Sequence, residues 1–136
     1  MSEPGTADEL PISTGDDVVR VRQLVRARAS AARLSLVDQT KLITAASELA
    51  RNTLVHGGSG VARVETVQRD GRRGVKAVFI DAGPGIVDVE KALTDGYTTG
   101  SGLGLGLGGS RRLVDEFVLE TAVGQGTTVT VIKWTR

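Results

Sequence analysis

The chain has 136 residues, with 17 basic and 16 acidic side chains and a net charge of +1. That is the size of one globular domain, ~100–200 residues being usual, without the basic excess that draws a protein to nucleic acid or anionic membrane. With no cysteine and only 3% aromatic residues, it has no disulfide framework, thiolate zinc cluster or catalytic thiol, and too few rings for a base-stacking platform.

No apolar run reaches the ~20 residues of a membrane span, and no basic-then-apolar leader opens the chain. The expectation is a cytoplasmic protein that binds neither nucleic acid nor membrane. Glycine is the unusual residue: seven of the fourteen positions from Gly96 to Gly109 are glycine.

Residues Met1 to Glu9 are small and polar and are expected to be disordered. Leu10-Pro11-Ile12 suits the start of an edge strand, where proline is tolerated. Thr14 with Asp17 spells a capping box and opens a helix expected to run to about Leu34. Val18, Val21, Leu24 and Val25 recur on its buried face at helical spacing. Arg22, Arg26 and Arg33 form another stripe, either a solvated basic face or a steering surface for an acidic partner. Ser35 with Asp38 caps a second helix, which carries Leu42, Ala46, Leu49 and Thr53 and stops at Gly57-Gly58.

The period then changes to two. Val61, Arg63, Glu65 and Val67 lead into a hairpin with a loop of about six residues near Asp70 to Gly74, returning through a central strand, Val75 to Ile80. Asp81 to Gly85 is a turn, Val87 to Leu93 a short helix, and Ser110 to Phe117 a further helix. Val118 to Ala122 and Thr127 to Trp134 are strands around Gly124-Gln125-Gly126. Helices on one face of a mostly antiparallel mixed sheet make a two-layer α/β sandwich. No repeat or linker divides residues 1 to 136, so one domain is expected.

Four local patterns bear on chemistry. Glu48 and Asn52, four residues apart, share one helix face. Such a pair is either a solvated surface pair or a carboxylate that accepts a proton beside an amide oxygen that holds hydrated Mg²⁺. Asp81-x-Gly83-x-Gly85 follows the central strand. It is either a tight turn or an acceptor for an exocyclic amine, with glycines that let a ring approach the backbone. The run from Gly100 to Gly109 precedes a helix, and its amides can form an anion-binding nest. A flexible linker is the plain alternative, but three leucines argue against it. Gly104, Gly106 and Gly109 match a GxGxxG spelling without the strand that a dinucleotide site requires, and no P-loop lysine is present. Gly126-Thr127 reads as a hairpin end or as a hydroxyl beside the base-reading carboxylate.

In this order the four patterns resemble the Bergerat-type ATP-binding fold of gyrase, Hsp90-like chaperones, histidine kinases and MutL-like proteins. Ser47-Glu48-Leu49-Ala50-Arg51-Asn52 and Asp95-Gly96-Tyr97-Thr98-Thr99 bring the chain closer to the RsbT-type switch kinases among the anti-sigma-factor serine/threonine kinases. The resemblance runs from about Leu10 to Arg136. It implies ATP and Mg²⁺ as cofactors, with Asn52 on the metal and Glu48 as general base. Asp81 would take the adenine amino group, with Gly83 and Gly85 beside the ring and Thr127 supporting the carboxylate. Gly102, Gly104 and Gly106 would wrap the phosphates in a short lid.

The implied substrate is a serine or threonine of a STAS-domain protein in a partner-switching, stressosome-type pathway. Release of the kinase would then activate a PPM-type phosphatase, with sigma-factor regulators downstream. The lid, spelled Gly-Leu-Gly-Leu-Gly-Leu-Gly-Gly, is closer to the histidine-kinase form. A detached histidine-kinase module would lack its phosphoacceptor helix pair in this length. The rival class is a non-catalytic, nucleotide-dependent binding module, against which stands the retention of both Glu48 and Asn52.

Overall fold

The computed structural model describes residues 7–93 and 106–136. Strand β1 (Ala7–Ile12) leads to helix α1 (Gly15–Ala31) and helix α2 (Leu36–Val55), followed by strands β2 (Gly60–Arg69) and β3 (Arg72–Asp81). One helical turn, α3 (Val89–Ala92), and helix α4 (Gly106–Arg112) precede strands β4 (Glu116–Ala122) and β5 (Gly126–Trp134). The strands lie in the order β1-β2-β3-β5-β4. Each described neighbour pair is antiparallel, so the expected sandwich is present but its sheet is not mixed.

The capping signals act as their residue types require. Thr14 Oγ1 accepts from the Asp17 N–H at 3.3 Å, while the Asp17 carboxylate accepts from the N–H groups of Ser13 at 2.8 Å and Thr14 at 3.1 Å. These bonds, the one from Ser13 first, outweigh desolvation and hold the Asp17 carboxyl below the usual carboxylate range. Ser35 accepts from the Asp38 N–H at 3.1 Å in the same way. Both helices turn apolar faces to one side of the sheet, where Val21, Val25, Leu42 and Leu49 meet Val64, Val75, Phe79 and Val131, all buried.

Five boundaries differ from the sequence expectations. Ala7 to Glu9 are strand, because Asp8 receives a 3.1 Å bond from Nε of Arg28, a buried arginine of α1. Helix α1 stops at Ala31, and Arg33 takes a positive φ of 68°. Its N–H bonds Ser30 O and the Leu34 N–H bonds Ala29 O, a Schellman motif with arginine where glycine is usual. Arg33 therefore leaves the helical stripe of Arg22 and Arg26. The β2–β3 loop is only Asp70-Gly71, with φ of 53° and 76°. Positive φ at both positions is the demand of a type I′ turn, so the polar run Arg72-Arg73-Gly74 continues the ladder.

Residues 87 and 88 precede α3, and Asp88 caps it by accepting from the Lys91 N–H at 3.0 Å. Finally, α4 begins at Gly106 and ends at Arg112, while Phe117 lies in β4 opposite Val131. Asp115 forces that ending by binding the Trp134 N–H at 2.7 Å. On β5, Lys133 continues the inward face of Val129 and Val131 and is 3% exposed, countered by Asp38 at 3.5 Å and Asp115 at 3.6 Å.

Candidate active site

A cleft of about 620 Å³ is lined by α2, the turn after β3, α3, the start of α4 and, along β3 and β5, Phe79, Thr127 and Val129. Its size lies in the range of small-molecule sites, ~300–1,000 Å³. Of the sequence-expected site residues, Glu48, Asn52, Asp81, Gly85, Gly106 and Thr127 line it together. Gly83 packs against Asp81 just behind it. Gly102 and Gly104 lie outside the described residues.

Helix α2 supplies one wall. Its core face carries Leu49 and Thr53, and the Thr53 hydroxyl is satisfied by Leu49 O at 2.9 Å. The adjoining face turns Glu48 and Asn52 into the cleft. Glu48 is only 8% exposed, and its Oε2 accepts a 3.3 Å bond from the N–H of Gly106, the first residue of α4. Gly106 opens α4 with a left-handed φ of 69°, a conformation that glycine adopts without strain. A buried carboxylate fixed through one oxygen keeps the other for a proton, which is the requirement for a positioned base.

Asp81 ends β3, paired with Gly60 on one side and Thr127 on the other. Its Oδ1 accepts from the Gly83 N–H at 2.9 Å, and Oδ2 has no donor among the described residues. The glycines around it are required by close packing. A Cβ on Gly57 would lie 2.5 Å from Asp81 Cβ and Cγ, and one on Gly83 would lie 2.7 Å from Gly57 Cα. Gly126, with φ of 87°, would bring a Cβ within 2.2 Å of Asp81 O. At Gly85, φ is 78° and a Cβ would meet Ala122 O at 2.2 Å, so the space its hydrogen saves is filled by the β4–β5 hairpin.

Thr127 is the ladder partner of Asp81, but its hydroxyl lies 3.0 Å from Thr121 Oγ1. Thr121 donates to Gly126 O at 3.1 Å and accepts from the Ile86 N–H at 3.0 Å. With the one Thr121 proton given to Gly126, the Thr127 proton points to Thr121 rather than to Asp81. Thr121 and Gly57 are contributors that sequence reading missed. Thr121 was legible only through its cross-strand pairing with Thr127, and Gly57 read simply as a helix stop.

The donor set suits a phosphate-borne metal better than a resident one. Among the described residues, no group of three His, Asp or Glu side chains is placed to hold a cation. The Asn52 amide oxygen is one neutral ligand, which fits Mg²⁺ that takes its remaining ligands from phosphate and water.

Residues 13–133 match the family model of the histidine kinase-like ATPase domain. The chain belongs to that family, whose fold is the sandwich described above. It is 45% identical over 125 residues to the serine/threonine-protein kinase RsbT of Bacillus subtilis (strain 168), covering 92% of this chain and 94% of that protein. Within the family it is an ATP-using serine/threonine protein kinase of the RsbT type, a partner-switching class. The anti-sigma F factor of Geobacillus stearothermophilus is 32% identical over 99 residues, 68% of this chain and 66% of its own length. The solved RsbU and RsbW domains of a Mycobacterium tuberculosis protein share the fold, with a TM-score of 0.66 and 22% identity. That match spans 96% of this chain and 32% of the longer one. No helix among the described residues is long and apolar enough to cross a membrane.

Proposed function

We propose that this kinase transfers the terminal phosphate of Mg-ATP to a serine or threonine of a STAS-domain protein in the cytoplasm. Phosphorylation of that partner then frees the kinase to activate a PPM-type phosphatase in a stressosome-type circuit. The observation that carries the catalytic part is the pairing of a buried Glu48, anchored among the described residues by one bond, with Asn52 in a cleft whose other end holds Asp81, whose Oδ2 has no donor among the described residues. A module that only binds nucleotide needs no such base.

The residues divide the work. Asp81 Oδ2 accepts from the adenine amino group, in the plane fixed by the Gly83 bond. Asn52 would hold the metal, which when bound would supply charge neutralisation to the phosphates. Glu48 takes the proton of the incoming hydroxyl as its oxygen bonds to phosphorus and the bridging oxygen leaves with ADP. Glu48 and Asn52 thus serve positioning and proton transfer, the two contributions such chemistry most needs.

Incubation with labelled ATP and a STAS-domain protein from the same cell tests the reading. The expected result is stoichiometric label on one serine or threonine. Nucleotide binding with no transfer to any such partner would favour the binding module instead.

A further inference from the structure

We infer that Arg51 contacts the terminal phosphate of the bound triphosphate and so lets the cleft distinguish ATP from ADP; this rests on the nucleotide-binding role proposed above. The cleft has a direction set by α2. Gly57, just past its end, packs on Asp81, and Glu48 lies nine residues back, ~13.5 Å along the axis at ~1.5 Å per residue. With the base at Asp81, the phosphates run toward Glu48. Arg51 stands at that far end, three residues from Glu48 and therefore its neighbour on the helix surface, and directly before Asn52.

Its surroundings leave the guanidinium available. Arg51 lines the cleft and is exposed, whereas Glu48 beside it is buried. No carboxylate among the described residues pairs with it, in contrast to Arg20, Arg28, Arg63, Arg69 and Arg136. The cleft also presents the carboxylates of Glu48, Asp81 and Asp88, which repel a polyphosphate. A cation at the Glu48 end offsets that repulsion where the charge is highest. The planar fork of arginine matches two phosphate oxygens at once, which a lysine cannot do.

Calorimetric titration of the full chain with ADP and with the β,γ-imido analogue of ATP, both with Mg²⁺, tests this in wild type, Arg51→Ala and Arg51→Lys. Arg51→Ala should weaken the triphosphate analogue roughly tenfold, the size of one exposed charge-assisted bond, and change ADP affinity by less than about twofold. Arg51→Lys should recover part of the loss, because charge returns without the fork. Melting curves should coincide, since the side chain is exposed. Equal weakening of both nucleotides, or no weakening of either, overturns the inference while leaving the nucleotide site intact. Wild type binding neither nucleotide would overturn the proposed function itself.

Discussion

Gly57→Ala tests how tightly the Asp81 end of the cleft is built. The added Cβ would lie 2.5 Å from Asp81 Cβ and Cγ and 2.7 Å from Thr53 O. Carbon atoms settle at ~3.5–4.0 Å, so Asp81 or the end of α2 must retreat by about 1 Å. Asp81 cannot move alone, because the ladder pairs it with Gly60 and Thr127 and its Oδ1 holds the Gly83 N–H. Overpacking at such a site costs ~1–3 kcal/mol, and displacing a charged acceptor from its ligand costs a further ~1.5–3 kcal/mol of binding.

The mutant should therefore melt several degrees lower and bind an ATP analogue roughly ten- to a hundredfold more weakly. Gly58→Ala is the control. Its φ is 83° and nothing lies within 4 Å of the new Cβ, so only the backbone penalty of ~1 kcal/mol remains and affinity should hold. Thermal melts and calorimetric titration of both mutants decide the matter. Wild-type affinity in Gly57→Ala, or an equal loss in Gly58→Ala, would refute the claim that Gly57 positions Asp81.

Glu48→Gln keeps the shape of the side chain and loses its proton acceptor. Single-turnover transfer to the partner should fall by on the order of 10² or more, with near-normal ATP affinity, and a parallel loss of binding would make Glu48 a phosphate-site residue instead. Arg33→Gly relieves a left-handed residue in the Schellman motif and should raise the urea midpoint by the equivalent of ~1 kcal/mol; an unchanged midpoint would mean that arginine bears no strain there. Acid should destabilise the fold through Asp17, Asp115 and Glu116. Ser13 N–H chiefly lowers the first. At Asp115, burial is outweighed by the Trp134 N–H, Arg136 and Lys133, and the Trp134 indole chiefly lowers Glu116. Their folded values lie below the unfolded ones, so this stability is complete above the ordinary carboxylate range, ~pH 4, and is lost as pH falls through the folded values. Melting temperature should be flat from about pH 7 to 5 and fall below about pH 4; a flat profile to pH 3 would refute it.

Helix starts and the order of elements were legible because their signals are local. Thr14, Ser35 and the shared face of Glu48 and Asn52 each depend on residues within about one turn. What escaped depended on partners distant in sequence. The strand at Ala7 to Glu9 needs Arg28, the placement of Phe117 needs the Asp115–Trp134 bond, and the burial of Lys133 needs Asp38, a residue of α2. The short β2–β3 turn is a different case. Asp70-Gly71 was a sufficient local signal, but the charged residues after it resemble loop more than ladder. In the site, Asp81 was legible as a strand-end carboxylate, while the engagement of Thr127 with Thr121 required the hairpin register.

The two ends of the cleft are anchored in different ways, and the difference suits the proposed reaction. Asp81 is fixed by two strands and by backbone packing at Gly57, Gly83 and Gly126, none of which leaves room for adjustment. A rigid acceptor favours one ring shape, since any misfit leaves the half-buried polar group unpaired. Among the described residues, Glu48 is tied by a single bond of 3.3 Å to Gly106, at the junction of the glycine-rich run and α4. In the proposed reaction that end would accommodate a phosphate and then a hydroxyl from another protein at nearly the same place. One long bond to a backbone amide orients the carboxylate at little energetic cost and can be exchanged for a closer partner when the acceptor arrives. On the proposed reading, selectivity for the base therefore resides in the sheet, and selectivity for the triphosphate and for the protein partner at α2 and what approaches it from outside.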